Sequence, residues 1–483
     1  MRNKFFLLII IYAILVTQSV YATYMTTATS VSWSGAFASI ADGLEATLYN
    51  PAGVAMSRSK VGLNILGSYS ARYYNNSLST NHIIKFLQKN ADGENMTDFF
   101  HEIIGYMPET GFNTGLEMSL LNFMSFFKFK HFSLGISILP KTKLDMTLSK
   151  SFFTTLFDKI DLTNSITMGA SMTMMQYFDF NGSISTEVKF LEKALHVDGV
   201  YAGVSTHVYI PTMFMNVLLD DISISPGAPV GDLGIIGYHI NMHGKTKASV
   251  NKAISDALIK NNIVPENFRA LVENGGTIGW GLGWDLGTIV QIRKWVRVGF
   301  SVTDLGFITF PDSAAIEVNT SADLTMDPVK SDFSSFTSFG TSIVDSFMSA
   351  FDASGQNPES TFFMPDTAIR FGVAFTPVLN KFIDITACAD ISVTDLNKCL
   401  NGNVPTFNFA TGVEILPRLN WFEFVFRMAF CYNTEGNNPS FSFGTGLHLG
   451  ALQMEIGVKG LEVLIENWGA KEVTFGLDCK FVF

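Results

Sequence analysis

The sequence predicts an all-β chain, a transmembrane antiparallel β-barrel of about 14 strands with 16 as the alternative. Three observations lead there. Charged residues make up 16% of the chain and mean hydropathy is +0.26, whereas soluble domains carry roughly 25% charged residues. No apolar stretch reaches the roughly 20 residues of a helical span. The last segment alternates strictly between apolar and polar residues. A chain that spans lipid without helices must close its sheet, because hydrocarbon satisfies no backbone group at an open edge.

The longest apolar run is "FFLLIIIYAILV", Phe5–Val16, preceded by Arg2 and Lys4. It is followed by "TQSVYA", with Val20 and Ala22 as the small residues before a cut. This is the pattern of a secretory signal peptide. Residues 1–22 are therefore expected to be removed, with cleavage after Ala22, and the chain is expected in a bacterial outer membrane. The competing reading is an uncleaved N-terminal anchor. No Cys follows the cut, which argues against a lipid anchor.

The C-terminal "EVTFGLDCKFVF" places Val473, Phe475, Leu477, Cys479, Phe481 and Phe483 on one face. Thr474, Gly476, Asp478 and Lys480 lie on the other. That is the lipid-out, lumen-in pattern of a barrel strand. Its terminal Phe resembles the closing signature of outer-membrane barrels, which assigns Phe475, Phe481 and Phe483 to barrel closure and to the assembly machinery. "WVRVGFSVTDLG" and "KFIDITACADISV" alternate in the same way, "NWFEFVFRMAF" less regularly through Phe422, Phe424, Phe426 and Ala429. A soluble β-sandwich would alternate too, but it would not need so few charges.

Connections alternate between short and long. "IRKW", "VLNK", "PRLN" and the turn at Gly450 are tight, while the segments around 81–110, 245–275 and 311–360 are long. Outer-membrane barrels have short periplasmic turns and long outer loops. Residues 61–144 hold three strands and 278–483 hold nine, so parity demands an even number between them. Residues 61–483 form the barrel.

Residues 23–60 carry no strand pattern. The segment "SGAFASIADGLEATLYNPAGVAM" is rich in Ala, Gly and Ser and modest in charge. A disordered tail would be more charged and less apolar, so 23–60 reads as a plug inside the barrel. Asn50 before Pro51 favours a turn and Gly53 can take positive φ. "IADGLEATLYNPAGVAM" resembles the N-terminal hatch of the FadL-type outer-membrane transport family at Ala41, Asp42, Ala46, Asn50, Pro51, Ala52 and Gly53. The resemblance implies a 14-stranded barrel that moves hydrophobic compounds such as fatty acids, with Asp42, Asn50, Pro51, Ala52 and Gly53 as the plug or gate. "GWGLGWDLGTIVQIRKWVRVGFSVTDLGFI" is similar to an uncharacterised family of exported barrels from Bacteroidota-like bacteria. It implies a barrel without an activity.

The outer segments carry apolar helical patterns. "SDFSSFTSFGTSIVDSFMSAF" spaces Phe333, Phe336, Phe339, Phe347 and Phe351 along one helical face, which makes them candidates for capturing a hydrophobic ligand. "MTDFFHEII" and "SFFTTLFDKI" add further turns. Packing on the barrel rim is the plainer role for all of these.

No catalytic constellation is visible, and no cofactor or metal is expected. His239 and His243 have helical metal spacing, but they sit in a strand pattern. The net charge of −11 argues against nucleic acid. Cys431 and Cys479 sit in apolar phase, and Cys388–Cys399 is the candidate bridge. The functional expectation is a channel for passive uptake of small hydrophobic molecules. The alternative is a scaffold or accessory barrel with a surface or secreted protein partner. Outer-membrane lipids are partners in either case.

Overall fold

The computed structural model describes residues 25–77, 82, 85, 88, 97–157, 166–230, 235–250, 278–310, 314–324, 357–358, 361–377, 382–396, 404–419, 421–434, 438–460, 462 and 472–483. The leader, Cys399 and the Phe333–Phe351 segment lie outside them. Three short helices come first: α1 (Ala28–Ser32), α2 (Gly43–Tyr49) and α3 (Gly53–Met56). The strands follow as β1 (Val61–Asn75), β2 (Phe112–Lys128), β3 (Ser133–Leu148), β4 (Ile166–Glu187), β5 (Gly199–Val230), β6 (Ile235–Val250), β7 (Trp280–Arg293), β8 (Val296–Phe310) and β9 (Ala314–Leu324). The rest are β10 (Asn357–Pro358), β11 (Thr361–Phe363), β12 (Ala368–Phe375), β13 (Ile383–Thr394), β14 (Thr406–Leu419), β15 (Phe422–Asn433), β16 (Asn438–Leu449), β17 (Leu452–Lys459) and β18 (Glu472–Val482).

These strands close into a 14-stranded antiparallel barrel. The seam is β1 against β18, from Gly62↔Val482 to Tyr74↔Glu472. The C-terminal residue completes it, because Phe483 N donates to Val61 O at 2.8 Å and Lys60 N donates to Phe483 O at 2.8 Å. The strand count of 14 is thus reached: β4 and β5 supply the expected even pair of wall strands between β3 and β7, and β6 is an addition to it. The inner part of β5 pairs with β7 (Gly199↔Gln291 to Tyr209↔Gly281), while its outer part pairs with β6 (Met213↔Val250 onward). One wall position is therefore shared by two strands in series. The 311–360 region, expected as a loop, also contributes sheet: β9 pairs with β6, and β10 with β9. At about 3.3 Å per residue, the 32 residues of β5 far exceed the 9–11 of a membrane crossing. The sheet around β4–β9 stands out beyond the barrel on its loop side.

The face pattern is the inverse of a soluble protein. Along β12, Ala368, Arg370, Gly372 and Ala374 point inward, while Ile369, Phe371, Val373 and Phe375 point outward. In β18 the outward set is Val473, Phe475, Leu477, Cys479 and Phe481, as the sequence predicts. β15 corrects the expected phase, since Met428 and Phe430 continue the outer face while Ala429 and Cys431 turn inward. Apolar side chains outside and buried Ser, Asn, Arg and Glu inside are what lipid demands of a barrel. Exposed Phe129, Phe132, Trp295, Phe382, Trp421 and Phe483 ring the short-turn rim, the position of an interfacial aromatic belt.

Long connections carry helices on the opposite side. α4 (Thr97–Tyr106) and α5 (Lys150–Phe157) pack Ile103, Ile104 and Met107 against Phe112 and Phe153. The expected helical turns around 97–104 and 150–157 therefore form, and they pack on the rim. A further helix, α6 (Lys189–Leu195), sits in the β4–β5 turn. Among the described residues, no helix is long and apolar enough to cross a membrane.

Candidate functional site: the plugged lumen

Residues 25–57 fill the lumen and are almost wholly buried. Helix α1 starts at a capping box, in which the Thr27 and Ser30 side chains each accept from the other's backbone N–H. Trp33, Phe37, Leu44, Tyr49 and Val54 form the plug's apolar core, together with Met124 and Phe126 of the wall. The inward thiols of Cys388 and Cys431 join this cluster. Cys388 is a free thiol that donates to Ala36 O at 3.2 Å, so the candidate bridge to Cys399 does not form.

Asn50 ties the plug to itself and to the wall. Its side-chain amide donates to Ala38 O at 2.7 Å, to Thr288 O at 3.3 Å and to Phe300 O at 3.4 Å. Its Oδ1 accepts from Ala52 N at 3.2 Å, which makes the local turn. Pro51 then seats against Gly203 and Gly287, where a Cβ on either glycine would collide with it or with Asn50. In the glycine-rich β7 segment it is Gly287 whose missing side chain admits the plug, while Gly281 and Gly283 lie against Phe307, Ile308 and Tyr209 of the neighbouring strands. Gly53 is required for a different reason than expected. It does not hold positive φ; a Cβ there would strike the Ala41 carbonyl. Ala52 is buried beside it, while Asp42 precedes α2 with no side-chain capping bond and is exposed.

Polar wall residues hold the plug's backbone. Asn122 donates to Thr26 O at 3.0 Å, Asn181 to Thr47 O at 2.7 Å and Lys128 to Ser57 O at 2.6 Å. Asp390 accepts from Ala38 N at 2.6 Å. From the last strand, Lys480 pairs with Glu45 of α2 and donates to Thr29 at 3.2 Å.

Among the described residues, charged side chains buried in the lumen form cross-strand rows. One row runs Lys459–Glu472–Arg72–Glu117 over β17, β18, β1 and β2, with links of 2.9 Å. A second runs Glu414–Arg427–Glu455, with 2.6 and 2.7 Å links, and reaches Lys480 at 3.7 Å. A third runs Lys141–Asp179–His207–Asp285 over β3, β4, β5 and β7, each link 2.8 Å. Such opposite-sign neighbours across strands stabilise a sheet, and burial makes losing one partner expensive. Sequence reasoning missed these rows. Each charge looks isolated along its own strand, and only the register brings them together.

Asp179, His207 and Asp304 come close enough to suggest a cation site. Both imidazole nitrogens already face carboxylates, and the Lys141 ammonium lies 2.8 Å from Asp179 and 4.0 Å from Asp304. The protein therefore supplies the cation itself. His239 and His243 both fall in β6, not on a helix.

Above the plug, on the loop side, is a cavity of about 40 Å³. Plug residues Thr26, Leu48 and Tyr49 form its floor, with Lys141, Asp304 and Arg370 among its walls. Beside it, Tyr177 and Tyr209 continue into a buried apolar cluster with Met175, Phe214, Ile308 and Phe310.

The profile of a family of unknown function (DUF5723) matches residues 51–457. The chain belongs to that family. No curated protein matches the sequence. Solved structures similar to it include the monoaromatic hydrocarbon channel CymD, at 11% identity over 96% of this chain and 99% of that one, with a TM-score of 0.41. The Ralstonia pickettii toluene transporter TbuX is similar at 11% identity over 95% and 98%, TM-score 0.44. A Pseudomonas aeruginosa FadL homologue is similar at 10% over 96% and 99%, TM-score 0.45. The barrel assignment for this DUF5723 chain rests on its own strand register.

Proposed function

We propose that this chain is an outer-membrane channel for passive uptake of small hydrophobic molecules, with the plug as its gate. The observation that carries the proposal is the arrangement of the lumen. A plug fills it through non-covalent ties, and apolar side chains line the wall next to the cavity above it. A ligand would adsorb among the apolar outer segments, including Phe333, Phe336, Phe339, Phe347 and Phe351, and enter the cavity. A shift of the plug around Asn50, Pro51, Ala52 and Gly53, with Asp42 at its exposed edge, would then open the way. No energy coupling or catalysis is needed for movement down a gradient. Phe475, Phe481 and Phe483 are proposed to serve closure and recognition by the assembly machinery.

Entry of the uncharged fluorophore N-phenylnaphthylamine into cells expressing the full chain tests this. Faster entry than in cells with the empty vector is the expected result. Unchanged entry, together with a stoichiometric protein bound to the purified barrel, would favour the accessory role instead.

A further inference from the structure

We infer that the cavity above the plug binds a polar head group that both accepts and donates hydrogen bonds, as a carboxamide does. The inference rests on the channel reading and narrows its substrate from any hydrophobic molecule to an amphiphile. The cavity's size sets the first limit. A volume of about 40 Å³ accommodates roughly three water positions at 10–15 Å³ each. It admits the three heavy atoms of a head group and leaves a longer apolar chain outside.

Its chemistry sets the second limit. Arg370 is only 4% exposed. One guanidinium nitrogen donates to Thr303 Oγ1 at 2.6 Å. Its Nε has no hydrogen-bond partner among the described residues, and none of their carboxylates lies within salt-bridge distance of this side chain. A buried guanidinium with no carboxylate partner is costly, and Arg370 is among the residues that line the cavity. The same cavity is lined by Asp304 and Asp366, whose side chains are 24% and 25% exposed. Each carboxylate offers acceptor oxygens toward the open volume. An alkyl end would pair with none of these groups. A carboxylate head would meet Arg370, but Lys141 is already paired with Asp179, and the head would bring a further negative charge beside Asp304 and Asp366. A carboxamide places its carbonyl toward Arg370 and its N–H groups toward Asp304 or Asp366. Leu48, Leu139 and Pro365 supply apolar lining for the adjoining carbons.

The test is native mass spectrometry of the full chain in neutral detergent, titrated separately with decanamide, decanoate and decanol. Decanamide is expected to be retained at least tenfold better than the other two, and Arg370→Met is expected to abolish that preference. Leu48→Phe, which fills the cavity from the plug side and leaves Arg370 in place, is expected to lower decanamide retention as well; it keeps the test decisive if Arg370→Met fails to fold. Equal retention of all three amphiphiles would overturn the head-group site and leave the channel standing. A preference that survives both substitutions would also overturn the site. Retention of none, with no entry of N-phenylnaphthylamine, would overturn both.

Discussion

Lys480→Met should loosen the plug while leaving the barrel wall intact. Lys480 is buried on the last strand and faces two carboxylates, Glu45 of the plug and Glu455 of β17. Removing it does not strand Glu455, which keeps Arg427 at 2.7 Å and His448 at 2.9 Å. The loss falls on Glu45, left with the Thr29 hydroxyl at 3.3 Å. Breaking one side of a buried ion pair costs about 3–5 kcal/mol. The exposed Asp42 nearby shows that water approaches this end of the plug, which favours the lower figure. About 3 kcal/mol corresponds to roughly a 150-fold rise in the plug's opening equilibrium. Hydrogen exchange on peptides covering 25–57 reads this directly, and Glu45→Gln in the same chain should recover most of the protection. Unchanged exchange in the plug would refute the reasoning. So would an equal loss of protection in the strands, because it would make Lys480 a support of the whole barrel.

Three further substitutions probe the other layers. Leu477→Arg puts a cation on the lipid face of β18 and should cost about 2–4 kcal/mol in urea unfolding from vesicles; a negligible cost would contradict a lipid-facing wall. His207→Ala leaves Asp285 without its imidazole partner and should destabilise the folded barrel by about 3 kcal/mol, read by the same unfolding assay. Gly287→Val drives a side chain into the space of Asn50 and Pro51, so planar-bilayer recordings should show higher ion conductance than the native chain gives.

The barrel was legible because lipid imposes period-2 alternation on every crossing strand, and β18 displays it from Val473 to Phe481, with Val482 the exception. Three strands before residue 148 and nine after residue 278 follow from the same pattern. The split position shared by β6 and β7 was not legible. Two strands in series look, along the chain, like two wall positions or a strand and a loop. The plug could be read from its composition and from Asn50-Pro51, yet the role of Gly53 was misjudged, because close approach to Ala41 leaves no local signature. The charge rows were invisible for a related reason. Arg72, Glu117 and Glu472 are scattered over 400 residues, and only pairing between β18, β1 and β2 makes them neighbours.

The most direct test of a plug-gated channel is to fasten the plug to the wall. A Cβ built on Gly135 of β3 would lie 3.7 Å from Thr47 Cβ of α2, close to the spacing of about 3.8 Å that a disulfide needs. Thr47→Cys with Gly135→Cys, in a chain whose native cysteines are replaced by serine or alanine, should close under oxidation next to Asn50. Entry of N-phenylnaphthylamine should then fall to the empty-vector level and return on reduction. Equal entry through the oxidised and reduced forms would contradict a moving plug.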